Sequence, residues 1–197
     1  MKRAAYLVLG FFMLLTLAGC GLFQVASPEN REVIVEVSKQ DYLIKNKDAK
    51  PVAVPEDFSF ALTWGAYGIS SYDSASGKLV KTTDATDATD PENYVTYHTL
   101  TEEELAYVYD LISSLDVFSY PVEYDPGNGS SEPSMTLILT ARFGAETRTI
   151  QAENISFSMT SKDEKGQAFL NACGVISAML TATPEWKALP DYERYYE

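Results

Sequence analysis

From Phe58 to Trp64, large apolar residues (Phe58, Phe60, Leu62, Trp64) alternate with Ser59, Ala61 and Thr63. A period of two is that of a strand, and it predicts one whose apolar face must be buried. Strand character resumes from Ile69 to Tyr72. Asp73-Ser74-Ala75-Ser76-Gly77 then supplies turn residues before Lys78–Thr82, which is a hairpin signal. Tyr94 to Thr99 reads as another strand after a loop over Asp84 to Pro91.

The period then changes. Leu105, Val108, Ile112 and Leu115 recur at helical spacing, behind Thr101 and Glu104 placed as a capping box and Leu100 placed to staple onto Leu105. A loop rich in Tyr, Pro and Gly spans Val117 to Pro133. Met135–Phe143 and Glu146–Ala152, around Gly144-Ala145, read as a second hairpin. Ser161 and Glu164 repeat the capping pattern ahead of a helix running to about Thr181, with Phe169, Cys173, Ile176 and Leu180 as its stripe. Thr183-Pro184 opens a short terminal helix, because proline is tolerated at the first helical position. The expected fold is therefore α+β: an antiparallel sheet built from two hairpins with two main helices on one face, in the order ββαββα. A doubly wound sheet fits less well, since the strands come in pairs.

The amino-terminal end follows another logic. Lys2 and Arg3 precede an uncharged run of 16 residues from Ala4 to Gly19, shorter than the ~20 a spanning helix needs, so residues 1–19 read as a secretory leader. The run ends in Leu17-Ala18-Gly19-Cys20, which resembles the lipobox of bacterial lipoproteins. The resemblance implies a diacylglyceryl thioether on Cys20, cleavage just before it, and a mature chain on the extracytoplasmic face of the cell membrane. Two acyl chains hold durably, at about 0.8 kcal/mol per buried methylene, where one chain is marginal. Gly21 rather than an acid follows the cysteine, which points to a Gram-positive-type cell. The body resembles uncharacterised lipoproteins of that type, a likeness that implies no activity. Its element order also resembles small bacterial domains, some of which inhibit proteases, but topology alone carries no function.

Residues 20–56 form the lipidated end and a tether, and 57–197 a single α+β domain. The stretch from Gly21 to Glu56 contains Pro28, Pro51 and Pro55 and mixed charge. Wholly flexible, its 36 residues would span ~30–36 Å. The alternation Val33, Val35, Val37 leaves a second reading open, in which residues 32–37 join the sheet.

Charge and composition narrow the partners. The full chain of 197 residues has 15 Lys and Arg against 28 Asp and Glu. After cleavage the balance is 13 against 28, and from Asp57 onward 8 against 22. Such a surface repels phosphate backbones and anionic head groups, which argues against nucleic-acid binding. At physiological salt the repulsion reaches only about 8 Å, so it permits tethering while discouraging the body from lying on the membrane. The expected partners are the membrane, through Cys20, and a protein or wall polymer; the body is expected to be monomeric.

Signals for chemistry are sparse. His98 is the single histidine, and no Gly-x-Ser-x-Gly elbow accompanies it, so it reads as an ordinary strand residue. Cys173, inside an apolar stripe, reads as a small hydrophobe. The Asp84, Asp87, Asp90 repeat lacks the ligand spacing and glycine of a calcium loop. Glu102, Glu103 and Glu104 suit the positive end of a helix, and Gly77-Lys78 lacks the rest of a phosphate loop. No cofactor, metal or catalytic residue is expected.

Twelve tyrosines follow the leader. Tyr67, Tyr120, Tyr124 and Asp125 lie beside glycine-containing loops, and tyrosine offers large area with little side-chain entropy to lose, which suits recognition. These four are the candidate ligand-binding residues. The expectation is a lipid-anchored, non-catalytic binding module, of which an inhibitor of secreted enzymes is one version. A hydrolase acting on wall or peptide is the alternative.

Overall fold

A computed structural model describes residues 52–66, 70–82 and 93–190. The leader, Cys20, the tether up to residue 51, Tyr67, the Asp84–Pro91 loop and the last seven residues lie outside the described residues. Within the described residues six strands form one sheet: β1 (Phe58–Gly65), β2 (Ser70–Asp73), β3 (Lys78–Thr82), β4 (Asn93–Tyr97), β5 (Met135–Phe143) and β6 (Glu146–Ile155). Among the described residues three α-helices accompany them: α1 (Glu102–Ser114), α2 (Glu164–Thr181) and α3 (Pro184–Lys187), with one 3-10 turn at Val117–Ser119.

The sheet order is β4-β3-β2-β1-β5-β6, with every neighbouring pair antiparallel. This is an α+β fold with its helices on one side of the sheet, but the expected ββαββα order is corrected. Four strands precede α1, because Tyr94–Tyr97 pairs with β3 and turns the first hairpin into a four-strand meander. α1 and the loop after it then return the chain to the far side of β1, where Phe58 to Gly65 pair with Phe143 to Thr136.

The alternation along β1 becomes the core. Phe58, Phe60, Leu62 and Trp64 face the helices, in one layer with Tyr72, Leu79, Leu137, Leu139 and Ile150. Burying each such side chain contributes roughly 1.5–3 kcal/mol. From the helices come Val108, Ile112, Phe169, Leu170, Cys173, Ile176 and Leu180, all fully buried. The opposite face of the sheet carries Ser59, Ala61, Thr63, Ser71, Val80, Val95, Tyr97, Ile138, Thr140 and Thr149, as the register requires.

Local signals are met with one exception. Thr101 Oγ1 accepts from the Glu104 amide at 3.2 Å while Glu104 Oε2 accepts from the Thr101 amide at 3.1 Å, the reciprocal capping box. Thr183 caps α3, with Pro184 at its first position. For α2, however, Asp163 is the cap, accepting from the Gly166 amide at 2.8 Å. Ser161 lies outside the helix: its hydroxyl donates to the Pro126 carbonyl at 2.5 Å and accepts from the Asp163 amide at 3.0 Å. A nearer carboxylate has displaced the serine because it can reach the first-turn amides and carries charge toward the positive helix end.

One turn glycine is required by geometry. Gly77 has φ of 69°, and a Cβ there would lie 2.9 Å from the His98 carbonyl oxygen. The His98 amide donates to the Gly77 carbonyl at 2.8 Å, so this close approach extends the β3–β4 ladder.

Candidate binding face

Three of the four candidate residues meet at the start of α2. Tyr120 is only 1% exposed; its ring packs against Phe169 and, edge-on, against Tyr124. Its hydroxyl donates to the Lys165 carbonyl at 3.0 Å, and the Lys165 ammonium sits 4.3 Å from its ring centre. Tyr120 is therefore a core tyrosine that fastens the 117–133 loop to α2, and its ring is not presented to solvent. Tyr124 is half-buried, edge-on to Phe169, with its hydroxyl 3.5 Å from Asp163 Oδ2. Asp125 is exposed, and its Oδ1 accepts from the Gly127 amide at 2.8 Å, closing a tight turn. Beside them is a shallow hollow of about 350 Å³ lined by Ser161, Asp163, Glu164, Gln167 and Asn171 among others. Tyr67 lies outside the described residues.

Burial sets the phenol chemistry of this cluster. Desolvation, followed by the charges of Tyr120 and Asp163, pushes the Tyr124 pKa up to about 12. Desolvation, then Asp73, does the same for Tyr72, also to about 12, and Tyr120 shifts in the same direction. A phenol whose folded pKa exceeds its unfolded value near 10 binds its proton more tightly when folded. Stability is thus fully present below pH 10 and falls between about pH 10 and 12. Titration with base, read by phenolate absorbance, is expected to show a late step that coincides with loss of near-ultraviolet circular dichroism. Ionisation of every tyrosine in one early step, with the fold intact, would contradict this.

His98 occupies a different corner. Its side chain is 12% exposed, Nδ1 lies 3.1 Å from Glu185 Oε2, and Nε2 lies 4.0 Å from Glu104 Oε2. The carbonyl of the same residue accepts from the Tyr72 hydroxyl at 3.0 Å. The imidazole thus joins the end of β4 to the starts of α1 and α3. It is half-buried, and its place between two carboxylates is not encoded in the local sequence. Glu104 serves both the cap of α1 and this corner. Cys173 is fully buried in α2, and desolvation raises its thiol pKa, so its sulfur is kept as a neutral thiol.

The two sheet edges differ, and here sequence reasoning misses residues. Along β6, Gln151 exchanges hydrogen bonds with the incoming loop: its amide donates to the Val122 carbonyl at 2.7 Å and its carbonyl accepts from the Tyr124 amide at 2.8 Å. On β4, the inward bond from His98 to Gly77 fixes the alternation. Residues 94 and 96 turn their backbone groups toward β3, whereas Asn93, Val95 and Tyr97 turn theirs outward. Val95 is 47% and Tyr97 65% exposed. The available signal is a short, uncharged, β-branched and aromatic strand; its place at the edge depends on long-range pairing.

No protein-family model matches the chain, and no curated protein sequence matches it either.

Proposed function

We propose that the protein is a lipoprotein held on the extracytoplasmic face of the cell membrane through diacylglyceryl on Cys20, with its folded body serving as a non-catalytic binding module. The observation that carries the anchor is the basic start, short apolar run and Leu17-Ala18-Gly19-Cys20 sequence. The body adds a supporting fact. Its one cysteine, Cys173, is sealed in the core, which leaves Cys20 as the thiol an acyl-transfer enzyme could reach.

The binding reading rests on surface geometry. Tyr124 reaches Asp163, one of the residues lining the hollow beside α2, and Val95 and Tyr97 stand at a sheet edge that no described residue covers. Tyr120 supports the first of these from within the core. His98 is held through Nδ1, 3.1 Å from Glu185 Oε2 at the start of α3, while its buried Nε2 makes no hydrogen bond with a described residue and lies 4.0 Å from Glu104 Oε2.

Cys20→Ala tests the anchor. The variant is expected to lose all metabolic fatty-acid label and either to appear in the medium or to accumulate as uncleaved precursor. Label persisting on the variant, or unchanged membrane retention of a processed chain, would contradict it.

A further inference from the structure

Of the six asparagines in the chain, Asn128 alone precedes a glycine. An asparagine side chain and the following backbone nitrogen can close a succinimide ring, and a Cβ on the following residue obstructs that closure. Asn93, Asn154 and Asn171 are followed by Tyr94, Ile155 and Ala172, each with a Cβ. At Gly129 the surroundings are open: even an added Cβ would meet nothing within 4 Å, and φ is 68°, a backbone region glycine enters freely. Among the described residues nothing accepts from the Gly129 amide, so no hydrogen bond restrains its nitrogen.

The groups that would react also strap this loop to the segment after β6. Asn128 Nδ2 donates to the Ser156 carbonyl at 3.0 Å, and the Ser156 amide donates to the Gly129 carbonyl at 3.0 Å. Asn128 Oδ1 is buried and has no hydrogen-bond partner among the described residues. An ionised carboxylate only accepts, so it cannot take the place of this amide. One oxygen would stand against the Ser156 carbonyl and the other would be buried without a donor. An uncompensated charge in such a place is strongly disfavoured.

We propose that Asn128 is a self-modification site, and that its conversion to aspartate and isoaspartate releases the 125–133 loop from Ser156. The Gly129 nitrogen gives its proton to solvent base and bonds to Asn128 Cγ. The Cγ–Nδ2 bond breaks, and Nδ2 takes a proton from water and leaves as ammonia. Water then adds to either carbonyl of the succinimide and breaks that carbonyl's bond to the ring nitrogen. One route gives aspartate; the other gives isoaspartate, in which the main chain runs through Cγ and Gly129 is displaced as well. The bond from Asn128 to Ser156 opens before the ring closes, so local opening of the strap gates the reaction. Asp125 belongs to the same loop and Tyr124 precedes it, so conversion adds a negative charge and loosens backbone beside the candidate binding face. This goes beyond the binding-module reading and does not depend on it.

The test holds the native protein, purified in detergent micelles, in mildly alkaline buffer and follows each asparagine-containing peptide by mass spectrometry. The Asn128 peptide is expected to exchange its amide for a carboxyl about tenfold or more faster than the Asn154 and Asn171 peptides, as a lower barrier at an unobstructed nitrogen requires. It is also expected to take up heavy oxygen from labelled water. Converted protein, separated by its added charge, is expected to exchange the Ser156 amide about tenfold or more faster than unconverted protein, with exchange in β1 unchanged. Asn128→Asp installs one product directly and is expected to show the same rise.

An Asn128 peptide that keeps its amide, or that converts no faster than those of Asn154 and Asn171, would overturn the proposal. Converted protein that retains full protection at Ser156 would overturn it too. Both readouts come from the unsubstituted chain, so the test stays decisive even if Asn128→Asp fails to fold.

Discussion

Phe169→Ala is expected to remove about 3–5 kcal/mol of folding free energy, the range for truncating a buried phenylalanine. Domains of this kind hold only about 5–15 kcal/mol in all, so the loss is a large share of the total. Phe169 is 0% exposed and sits where α2 meets the 117–133 loop, under the rings of Tyr120 and Tyr124. Two effects therefore add. A cavity opens in the core, and the two tyrosines lose the surface they lie on. Urea denaturation is expected to show a much lower midpoint with little change in slope, since the surface exposed on unfolding is nearly the same. Val95→Ala, at an exposed position, serves as the comparison and is expected to move stability by about 0.5 kcal/mol or less. A Phe169→Ala midpoint close to that of Val95→Ala would contradict the packing described here.

Two glycines of α2 are expected to respond to alanine with opposite signs. Replacing a helix-interior glycine ordinarily stabilises by roughly 0.5–1 kcal/mol. At Gly174 the new Cβ would meet only the terminal methyl of Met159, 3.4 Å away on a flexible side chain, so the ordinary gain is expected. At Gly166 the Cβ would collide with the Pro126 carbonyl oxygen and lie 2.9 Å from both the Pro126 carbonyl carbon and Ser161 Oγ. That carbonyl is already held by the Ser161 hydroxyl, and the Gly166 amide is held by Asp163. Backbone cannot yield as a side-chain tip can. Overpacking typically costs about 1–3 kcal/mol, which outweighs the helix gain. Gly166→Ala is thus expected to destabilise, and to raise hydrogen exchange through Tyr124–Gly127, while Gly174→Ala stabilises. Equal signs at the two sites would contradict the close approach of Pro126 to α2.

Most elements are legible in local sequence patterns. The two-residue period of β1, the Asp-Ser-Gly turn before β3, the capping box of α1 and the Pro184 start of α3 each depend on neighbours within a few residues. Strand order is not legible in that way. β1 pairs with β5 across a long stretch of chain, and that pairing puts the second hairpin beside β1 and leaves β4 at the opposite end of the sheet. The cap of α2 differs from its sequence reading because Asp163, also an N-cap residue type though followed three positions on by Gly166 rather than an acid, caps the helix while Ser161 is taken up by the Pro126 carbonyl.

The candidate site is legible in part for the same reason. Loop composition points to Tyr120, Tyr124 and Asp125 together, and the structure does bring them to one place. It also divides them: Tyr120 is inside, Tyr124 half inside, and Asp125 outside. Nothing in the spacing of these residues encodes which ring Phe169 will cover. Val95 and Tyr97 carry no such signal, because alternation reveals the two faces of a strand but not whether a neighbour lies beside it.

The account depends most on the lipid at Cys20, and mass spectrometry of the protein purified from its own membrane reads it directly. The expected amino-terminal peptide begins at Cys20 and carries the mass of a diacylglyceryl thioether. An unmodified chain beginning at Met1, or a processed chain with a bare cysteine, would contradict it.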